Sequence, residues 1–337
     1  MKFKTNKENI FLYLLFTLFT LFTSYFISIR DLSLVDDNLI YAQNFIYKLS
    51  INNFHYEFLF DLLTFVVRLF TDSYIVYFFI LNIVLNLILL FLSKKISELE
   101  KINKVYFSFL FFSFLCMSSW YQVAAANGLR QGLSLALLYL FFVYLVFNIN
   151  KFYSFLFLLG SILFHYSSIL IIPFIFLIKL NLNKLFFLLN ILGIFYILGV
   201  NEKIVYIISS VLGISLYDSI KNYVEDTNSY RYGFQWDLFL YSLALAYIYF
   251  FFSKYFIKSE GLYGLVKIYF LLLMPYFIFG FAGFSNRYGL FAWFFSILLN
   301  TLIFYYIFSK SKSFFPIGIF VTFAISFSYF SLVYGII

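Results

Sequence analysis

Long apolar runs separated by short polar stretches dominate the sequence. A transmembrane helix needs about 20 predominantly apolar residues, each adding about 1.5 Å of length. The runs that approach this length lie at residues 10–29, 74–93, 105–122, 130–147, 152–178, 185–200, 237–253, 268–284, 288–308 and 314–335. The pattern predicts an all-α, polytopic integral membrane protein, with about 10–12 transmembrane helices in a single transmembrane domain over residues 1–337.

The composition narrows the class of protein further. Of the 337 residues, 64% are hydrophobic and only 11% are charged, and the mean hydropathy is +0.95. These values exclude a soluble enzyme, a nucleic-acid module and a secreted scaffold. Cys116 is the single cysteine, so an internal disulfide cannot form. The long uninterrupted runs also argue against a transmembrane β-barrel, whose strands would be short and alternating.

Positive residues indicate an orientation. Short cytoplasmic loops retain lysine and arginine, so the lysine-rich stretches at 2–7, 94–104 and 254–267 place the N-terminus inside. The net charge of +8 then reflects topology and not a nucleic-acid partner. Under this topology every arginine falls on the outer side: Arg30, Arg68, Arg130, Arg231 and Arg287. Because a guanidinium can hold phosphate through two hydrogen bonds, the outer arginines indicate an anionic ligand, with lipid-headgroup contact as the alternative.

The first outer segment covers residues 30–73 and contains a helical polar stripe. Intervals of three and four residues place its polar members on one face of a helix whose other faces are apolar. These members are Glu57, Asp61, Thr64, Arg68 and Asp72. We expect an amphipathic helix at the outer interface. Its carboxylates, like Asp37 earlier in the segment, could orient sugar hydroxyls; the alternative is a solvated face without a chemical role.

Two further polar groups interrupt the apolar runs. The stretch from Asn127 to Gly132 opens one helix with a polar face that includes Arg130 and Gln131. An arginine there is costly unless it is paired, snorkels or faces a water-filled cavity, so we interpret it as functional, with an interface anchor as the alternative.

His165 is central in the second group, a run of 27 residues without a formal charge between Lys151 and Lys179. As one helix this run would measure about 40 Å, longer than the hydrocarbon core. We expect a broken or re-entrant pair around His165, with the imidazole in an outward cavity. A packed core histidine bonded to a serine is the alternative.

Later outer segments supply the remaining candidates. Residues 201–236 form a second large outer loop that contains Arg231. Asn286, Arg287 and Tyr288 come directly before a late apolar run, so that an arginine again begins a helix at the outer side. There is no Asp-x-Asp on the outer side and no Gly-rich phosphate loop, and we therefore expect no cofactor, no metal and no nucleotide-sugar donor.

Several of these motifs together resemble the EpsG family, which is related to Wzy-type O-antigen and capsule polymerases. The resemblance rests on Asn127-Gly128-Leu129-Arg130-Gln131-Gly132, Leu163-Phe164-His165-Tyr166-Ser167-Ser168 with Pro173, Asp36 or Asp37, Tyr-Glu-Phe-Leu-Phe at 56–60, and Asn286-Arg287-Tyr288. It covers nearly the whole chain. Ser134 departs from the pattern, because a small alanine is expected there.

The resemblance implies a metal-independent membrane glycosyltransferase of GT-C-like architecture in the bacterial cytoplasmic membrane. Such an enzyme transfers a growing glycan from undecaprenyl diphosphate to the next lipid-linked repeat unit, at the outer face. Arg130 and Arg287 are the candidates for binding the diphosphate. His165 is the candidate base or acceptor-positioning group, with Glu57 and Asp37 as rivals. The candidate substrate-binding residues are Asn127, Gln131, Asn286, Tyr288, Asp61, Arg68 and Arg231.

The expected partners are the undecaprenyl diphosphate-linked donor and acceptor oligosaccharides and membrane lipid, with a chain-length regulator and a flippase as further candidates. An O-antigen ligase would share the outer arginines and the lipid diphosphate donor. A lipid-linked oligosaccharide flippase or transporter would instead place charges deep inside several helices, and often has two related halves. A non-catalytic assembly subunit is a further alternative.

Overall fold

The structure is a computed structural model that describes residues 7–32, 36–47, 57–213, 217 and 233–309. Within these ranges the chain forms helices and connecting turns, without a strand. Two compact units divide the chain: residues 1–169 with 300–337 form the first, and residues 170–299 form the second.

The first unit contains eight complete helices among its described residues. They are α1 (Lys7–Ser28), α2 (Asp36–Tyr47), α3 (Phe58–Arg68), α4 (Tyr74–Leu99), α5 (Lys104–Met117), α6 (Ser119–Gln122, continued by a π-helical turn over Val123–Asn127), α7 (Leu129–Val146) and α8 (Lys151–Phe164). The runs at 10–29, 74–93 and 130–147 coincide with α1, α4 and α7, whereas the run at 105–122 divides at Ser118 into α5 and α6. The amphipathic α2 and α3 lie between the runs, in the segment predicted as an outer loop.

The second unit begins within a 3₁₀ turn over Tyr166–Ile171. It contains α9 (Ile172–Ile175, followed by a 3₁₀ turn over Phe176–Lys179), α10 (Leu182–Ile197), α11 (Val200–Leu212), α12 (Trp236–Phe251, continued by a π-helical turn over Phe252–Phe256), α13 (Glu260–Phe279) and the start of α14 (Ser285–Phe308). Buried side chains tie these helices to one another. Tyr196 donates a hydrogen bond to the Gly280 carbonyl at 3.0 Å, and the Trp293 indole donates to Ser242 at 2.8 Å.

The prediction of a polytopic all-α membrane protein is confirmed. Among the described residues, five helices are long and apolar enough to cross a membrane, or up to seven if each of two bent pairs is one span. The sequence predicted about 10–12 spans. The numbers differ for three reasons: the run at 10–29 is counted only as the shorter apolar helix Phe16–Ser28, the run at 152–178 divides into helices too short to span alone, and the run at 314–335 lies outside the described residues.

The bent pair in the first unit shapes the approach to α7. α5 and the segment Ser119–Asn127 meet at 79°, at Ser118, whose backbone is extended. The chain then passes through the π-helical turn Val123–Asn127 and enters α7 after Gly128. π-Helical turns are rare and often occur at functional sites. This one directly precedes the helix that carries Arg130.

Gly132 allows this turn to lie against the first turn of α7. A Cβ at Gly132 would lie 2.2 Å from the carbonyl oxygen of Ala124, which is a backbone atom. The absence of a side chain at Gly132 therefore permits a close contact between two consecutive segments of the chain. A side chain at Gly132 would push apart the two segments that flank Arg130.

We expect Gly132→Ala to lower the free energy of unfolding by about 1–3 kcal/mol through overpacking. Gly128→Ala is the matched control, because its nearest neighbour would be the Val123 carbonyl at an ordinary 3.6 Å. Thermal unfolding of the two variants in the same detergent compares them. Equal melting temperatures would contradict the close approach.

α7 and α8 form an antiparallel pair. Ser154 of α8 donates a hydrogen bond to the Phe141 carbonyl of α7 at 3.1 Å, and Ser161 of α8 lies 3.0 Å from Ser134 of α7. Residue numbers rise along one helix as they fall along the other. The pairing brings the C-terminal end of α8 beside the N-terminal part of α7.

α8 ends where the sequence predicts a break. Its last residue is Phe164, and His165 adopts extended backbone with φ −157° and ψ 115°. The 3₁₀ turn Tyr166–Ile171 follows directly. The side chain of His165 thus leaves the chain at a helix end, close to the first turn of α7.

Candidate active site

Three separate elements of the first unit bring Glu57, Arg130 and His165 together. One carboxylate oxygen of Glu57, Oε2, accepts a hydrogen bond from Arg130 Nη1. The other, Oε1, faces Nδ1 of His165. Both contacts join residues far apart in sequence. The carboxylate therefore forms a bridge between the guanidinium and the imidazole.

Local structure explains why each side chain is available. Glu57 occupies the N-cap position of α3, where its backbone carbonyl accepts from the amides of Phe60 and Asp61. Its side chain makes no capping hydrogen bond, so both carboxylate oxygens can point away from the helix. Arg130 is the second residue of α7. His165 lies at the break after α8, and its imidazole contacts Glu57 and not a serine.

Tyr41 of α2 completes the cluster. Its hydroxyl accepts a hydrogen bond from Arg130 Nε at 3.0 Å, and the guanidinium carbon lies 5.2 Å from the centre of the Tyr41 ring. Sequence reasoning did not single out this residue. The sequence feature that could have indicated Tyr41 is its position one helical turn after the candidate Asp37.

Burial and charge differ across the cluster. The side chains of Glu57 and His165 are 6% and 14% exposed, whereas that of Arg130 is 39% exposed. Burial raises the pKa of Glu57, but the hydrogen bond and charge of His165 and the charge of Arg130 outweigh it, so the pKa lies below its ordinary value. Glu57 is therefore a carboxylate at neutral pH. Arg130 is the member that a ligand can reach most readily.

Two nitrogen atoms of the cluster remain open. In the described parts of the chain, no hydrogen-bond partner contacts Nη2 of Arg130 or Nε2 of His165. Because a carboxylate can only accept, the proton of a neutral His165 lies on Nδ1, and Nε2 carries a lone pair. The site thus presents a cationic donor and a potential proton acceptor on either side of one carboxylate.

The lowered pKa of Glu57 gives a testable pH dependence of stability. A carboxyl group whose pKa is lower in the folded state stabilises the protein above its unfolded pKa, and the contribution is lost as the pH falls through the folded pKa. We expect Glu57→Gln to lower the melting temperature at neutral pH. We also expect this variant to lose less stability than wild type between about pH 7 and about pH 3.5.

Asp72→Asn is the control for this titration, because the Asp72 side chain is 87% exposed and exposed ion pairs contribute little. Melting temperatures of the three proteins in one detergent across the pH range make the comparison. If Glu57→Gln follows the wild-type slope, other carboxylates cause the acid sensitivity.

Arg30 connects helices and turns next to the site. Its Nη2 donates to Asn38 of α2 and to the Ala126 carbonyl, each at 2.7 Å. The guanidinium carbon also lies 4.6 Å from the centre of the Phe78 ring. The side chain thus joins the end of α1 to α2 and to the π-helical turn before α7. Although Arg30 belongs to the predicted outer set, its contacts indicate a structural role.

The remaining candidates of the first unit lie near these elements in the sequence. Asn127 ends the π-helical turn, and Gln131 is a buried residue of the first turn of α7. Asp61 is half-buried in the first turn of α3. Arg68 pairs with Asp72 at 2.6 Å.

Arg68 also donates to the Ile46 carbonyl at 3.2 Å. α3 ends at Arg68, so Asp72 lies beyond the helix that the stripe predicted. Substrate binding by these residues stays a prediction.

The second unit holds the late candidates. Asn286 is exposed, and the Arg287 guanidinium carbon lies 4.4 Å from the centre of the Phe284 ring. The Tyr288 ring centre is 5.5 Å from that of Phe279. Arg231 lies outside the described residues, as does the side chain of Asp37. Their roles stay predictions.

Metal-ligating residue types do not cluster in the described part of the chain. No group of three His, Cys, Asp or Glu side chains there could hold a metal ion. The ionisable groups that converge in this part of the chain are the guanidinium of Arg130, the carboxylate of Glu57 and the imidazole of His165.

The sequence matches the model of a known protein family. The family model of the EpsG family matches residues 13–336, which is essentially the whole chain and includes Glu57, Arg130 and His165. No curated protein and no solved structure matches the sequence.

Proposed function

Because the chain belongs to the EpsG family, a family of Wzy-like polysaccharide polymerases, we propose that it transfers a growing glycan from undecaprenyl diphosphate to the next lipid-linked repeat unit. A hydroxyl oxygen of the acceptor unit forms a bond to the anomeric carbon of the donor sugar. The bond from that carbon to the diphosphate oxygen breaks, and the diphosphate leaves with the electron pair. The hydroxyl proton passes to a base.

The convergence of Arg130, Glu57 and His165 is the observation that carries this proposal. The reaction needs positive charge where the leaving diphosphate develops negative charge, and a base near the attacking hydroxyl. The cluster offers one of each, held apart by a carboxylate that contacts both.

Arg130 is suited to the leaving group. Tyr41 and Glu57 hold two of its nitrogens, so the plane of the guanidinium is fixed before a ligand binds. The remaining terminal nitrogen and the exposed edge can donate to phosphate oxygens. A charge oriented in advance favours the state in which the diphosphate departs, because little reorganisation is then needed.

His165 is suited to accept the proton. With its proton on Nδ1 directed at Glu57, Nε2 can take the proton of the acceptor hydroxyl. The Glu57 carboxylate then stabilises the imidazolium that forms, as a carboxylate does in other histidine-based sites. Glu57 itself is the weaker candidate base because both of its oxygens already have partners.

The orientation of the site in the membrane follows from the charge distribution of the sequence, which favours the outer face of the bacterial cytoplasmic membrane with the N-terminus inside. Cysteine labelling tests it in a Cys116→Ser background. We expect Asp72→Cys, 87% exposed in the wild type, to react with an impermeant maleimide on intact cells. Glu98→Cys, 63% exposed, would react only after permeabilisation. The reverse pattern would place the site inside.

Reconstitution tests the activity. Purified protein in proteoliposomes, supplied with an undecaprenyl diphosphate-linked repeat unit, is expected to produce a ladder of polymers. A deletion strain separates the rivals: single-repeat products indicate a polymerase, absence of surface glycan a flippase, and accumulated long lipid-linked chains a ligase. Proteoliposomes that never extend the repeat unit, combined with either of the latter profiles, would refute the proposal.

A further inference from the structure

Three buried serines contact one another beside the backbone of His165. Ser134 lies on α7, Ser161 on α8 and Ser168 on the 3₁₀ turn, and each is at most 1% exposed. The hydroxyls of Ser134 and Ser168 are 2.6 Å apart, and Ser161 donates to Ser168 at 2.9 Å. We call these residues the serine cluster.

The hydrogen atoms of the serine cluster can all be satisfied at once. Ser134 donates to the backbone carbonyl of Ser161 at 2.8 Å. Ser161 donates to the Ser168 hydroxyl, and Ser168 in turn can donate to Ser134. Each hydroxyl thus donates one hydrogen, which is all it has. A fully satisfied buried network fixes its members more firmly than a partly satisfied one.

The backbone amide and the backbone carbonyl of His165 both form hydrogen bonds with residues of the serine cluster. The His165 amide donates to the Ser161 carbonyl at 3.0 Å, and the His165 carbonyl accepts from the Ser168 amide at 3.1 Å. The Ser161 carbonyl therefore receives the His165 amide and the Ser134 hydroxyl together. Because His165 is extended between two helical segments, the cluster sets the direction in which its side chain leaves the chain.

We infer that Ser134, Ser161 and Ser168 are positioning residues that hold the break at His165 so that Nδ1 faces Glu57. This inference rests on the proposed function, in which His165 accepts the proton of the acceptor hydroxyl. α7 carries both Ser134 and Arg130, so the same helix orients the guanidinium and, through the serine cluster, the imidazole. The relative placement of the two groups is thereby fixed by one rigid element.

A spectroscopic test reads the position of His165 directly. The chain has two histidines, and His55 lies outside the described residues, so His55→Gln leaves His165 as the single imidazole. In this background, ¹⁵N-histidine labelling in proteoliposomes is expected to show one Nδ1–H tautomer hydrogen-bonded to a carboxylate. We expect Ser134→Ala and Ser168→Ala to give a mixture of tautomers and to lower the turnover number about ten- to a hundredfold.

Ser154→Ala is the matched control. Ser154 is buried on α8 and donates to an α7 carbonyl, as Ser134 on α7 donates to an α8 carbonyl. It lies about three helical turns before His165 on α8 and bonds to Phe141 instead of the serine cluster. We expect this variant to keep both the single tautomer and the turnover number. If Ser134→Ala does not fold, as judged by size exclusion, Ser168→Ala carries the test, since its hydroxyl belongs to the turn and not to the helix pair.

The outcomes separate this inference from the proposed function. Unchanged tautomer signals and rates in Ser134→Ala and Ser168→Ala would overturn the positioning role while the polymerase stands. Equal losses in Ser154→Ala would also overturn it, because helix packing alone would then explain them. If the background protein fails to polymerise but the tautomer still responds only to the serine cluster, the positioning role stands and the proposed function fails.

Discussion

We expect Arg130→Lys to reduce polymerisation by about 10²–10³-fold, while the protein accumulates in the membrane at its normal level. A lysine keeps the charge but has one ammonium group instead of a planar fork. It cannot donate to Tyr41, Glu57 and a phosphate oxygen in one plane, as the geometry of Arg130 allows. Initial rates with the lipid-linked repeat unit, and chain-length ladders from complemented cells, measure the loss.

Arg68→Lys is the comparison for this substitution. Arg68 is also an arginine of the first unit, but it pairs with the exposed Asp72 and with the Ile46 carbonyl. We expect a loss of less than about tenfold, since the partner Asp72 is 87% exposed and an ion pair with an exposed group contributes little. Normal chain-length ladders from Arg130→Lys would refute its role as a bidentate donor. An equal loss in both variants would return Arg68 to the set of substrate-binding residues.

The sequence predicted those parts of the fold that depend on residues close to one another along the chain. Run length and charge placement locate the helices, because a span must be apolar over its whole length. The break at His165 could be predicted because the apolar run is too long for one span and its polar interruption lies at this residue. The predicted polar stripe likewise corresponds to α3, although the helix ends at Arg68 and leaves Asp72 in the following turn.

The partners within the site depend on contacts that no local pattern encodes. The sequence left Glu57, Asp37 and His165 as rivals for one role. In the structure, one carboxylate oxygen of Glu57 contacts His165 and the other contacts Arg130. Tyr41 is one of 31 tyrosines, so nothing marked it. Ser134 looked like a minor departure from the family pattern, yet its hydroxyl is the link between α7 and the break that carries His165.

Replacing His165 tests the base directly. Substitution by asparagine and by glutamine distinguishes a role as the base from a role in positioning the acceptor hydroxyl. Asparagine places an N–H near the position of Nδ1 and keeps a donor for Glu57, whereas glutamine places an amide near Nε2. Neither amide accepts a proton at neutral pH. If His165 is the base, we expect both variants to lose about 10²–10⁴-fold in turnover number, with protein levels unchanged. If it only positions the acceptor hydroxyl, glutamine would retain most of the activity.

The rival carboxylates complete this comparison. Glu57→Gln removes the charge that stabilises the imidazolium, so we expect a large loss here as well, but a smaller one than for His165→Asn. Asp37→Asn is expected to keep the turnover number within about tenfold, since general-base removal costs more than that. The assignment to His165 is wrong if Asp37→Asn is inactive while His165→Asn still extends chains. The proton would then pass to a carboxylate of α2, and the imidazole would serve only to hold Glu57 beside Arg130.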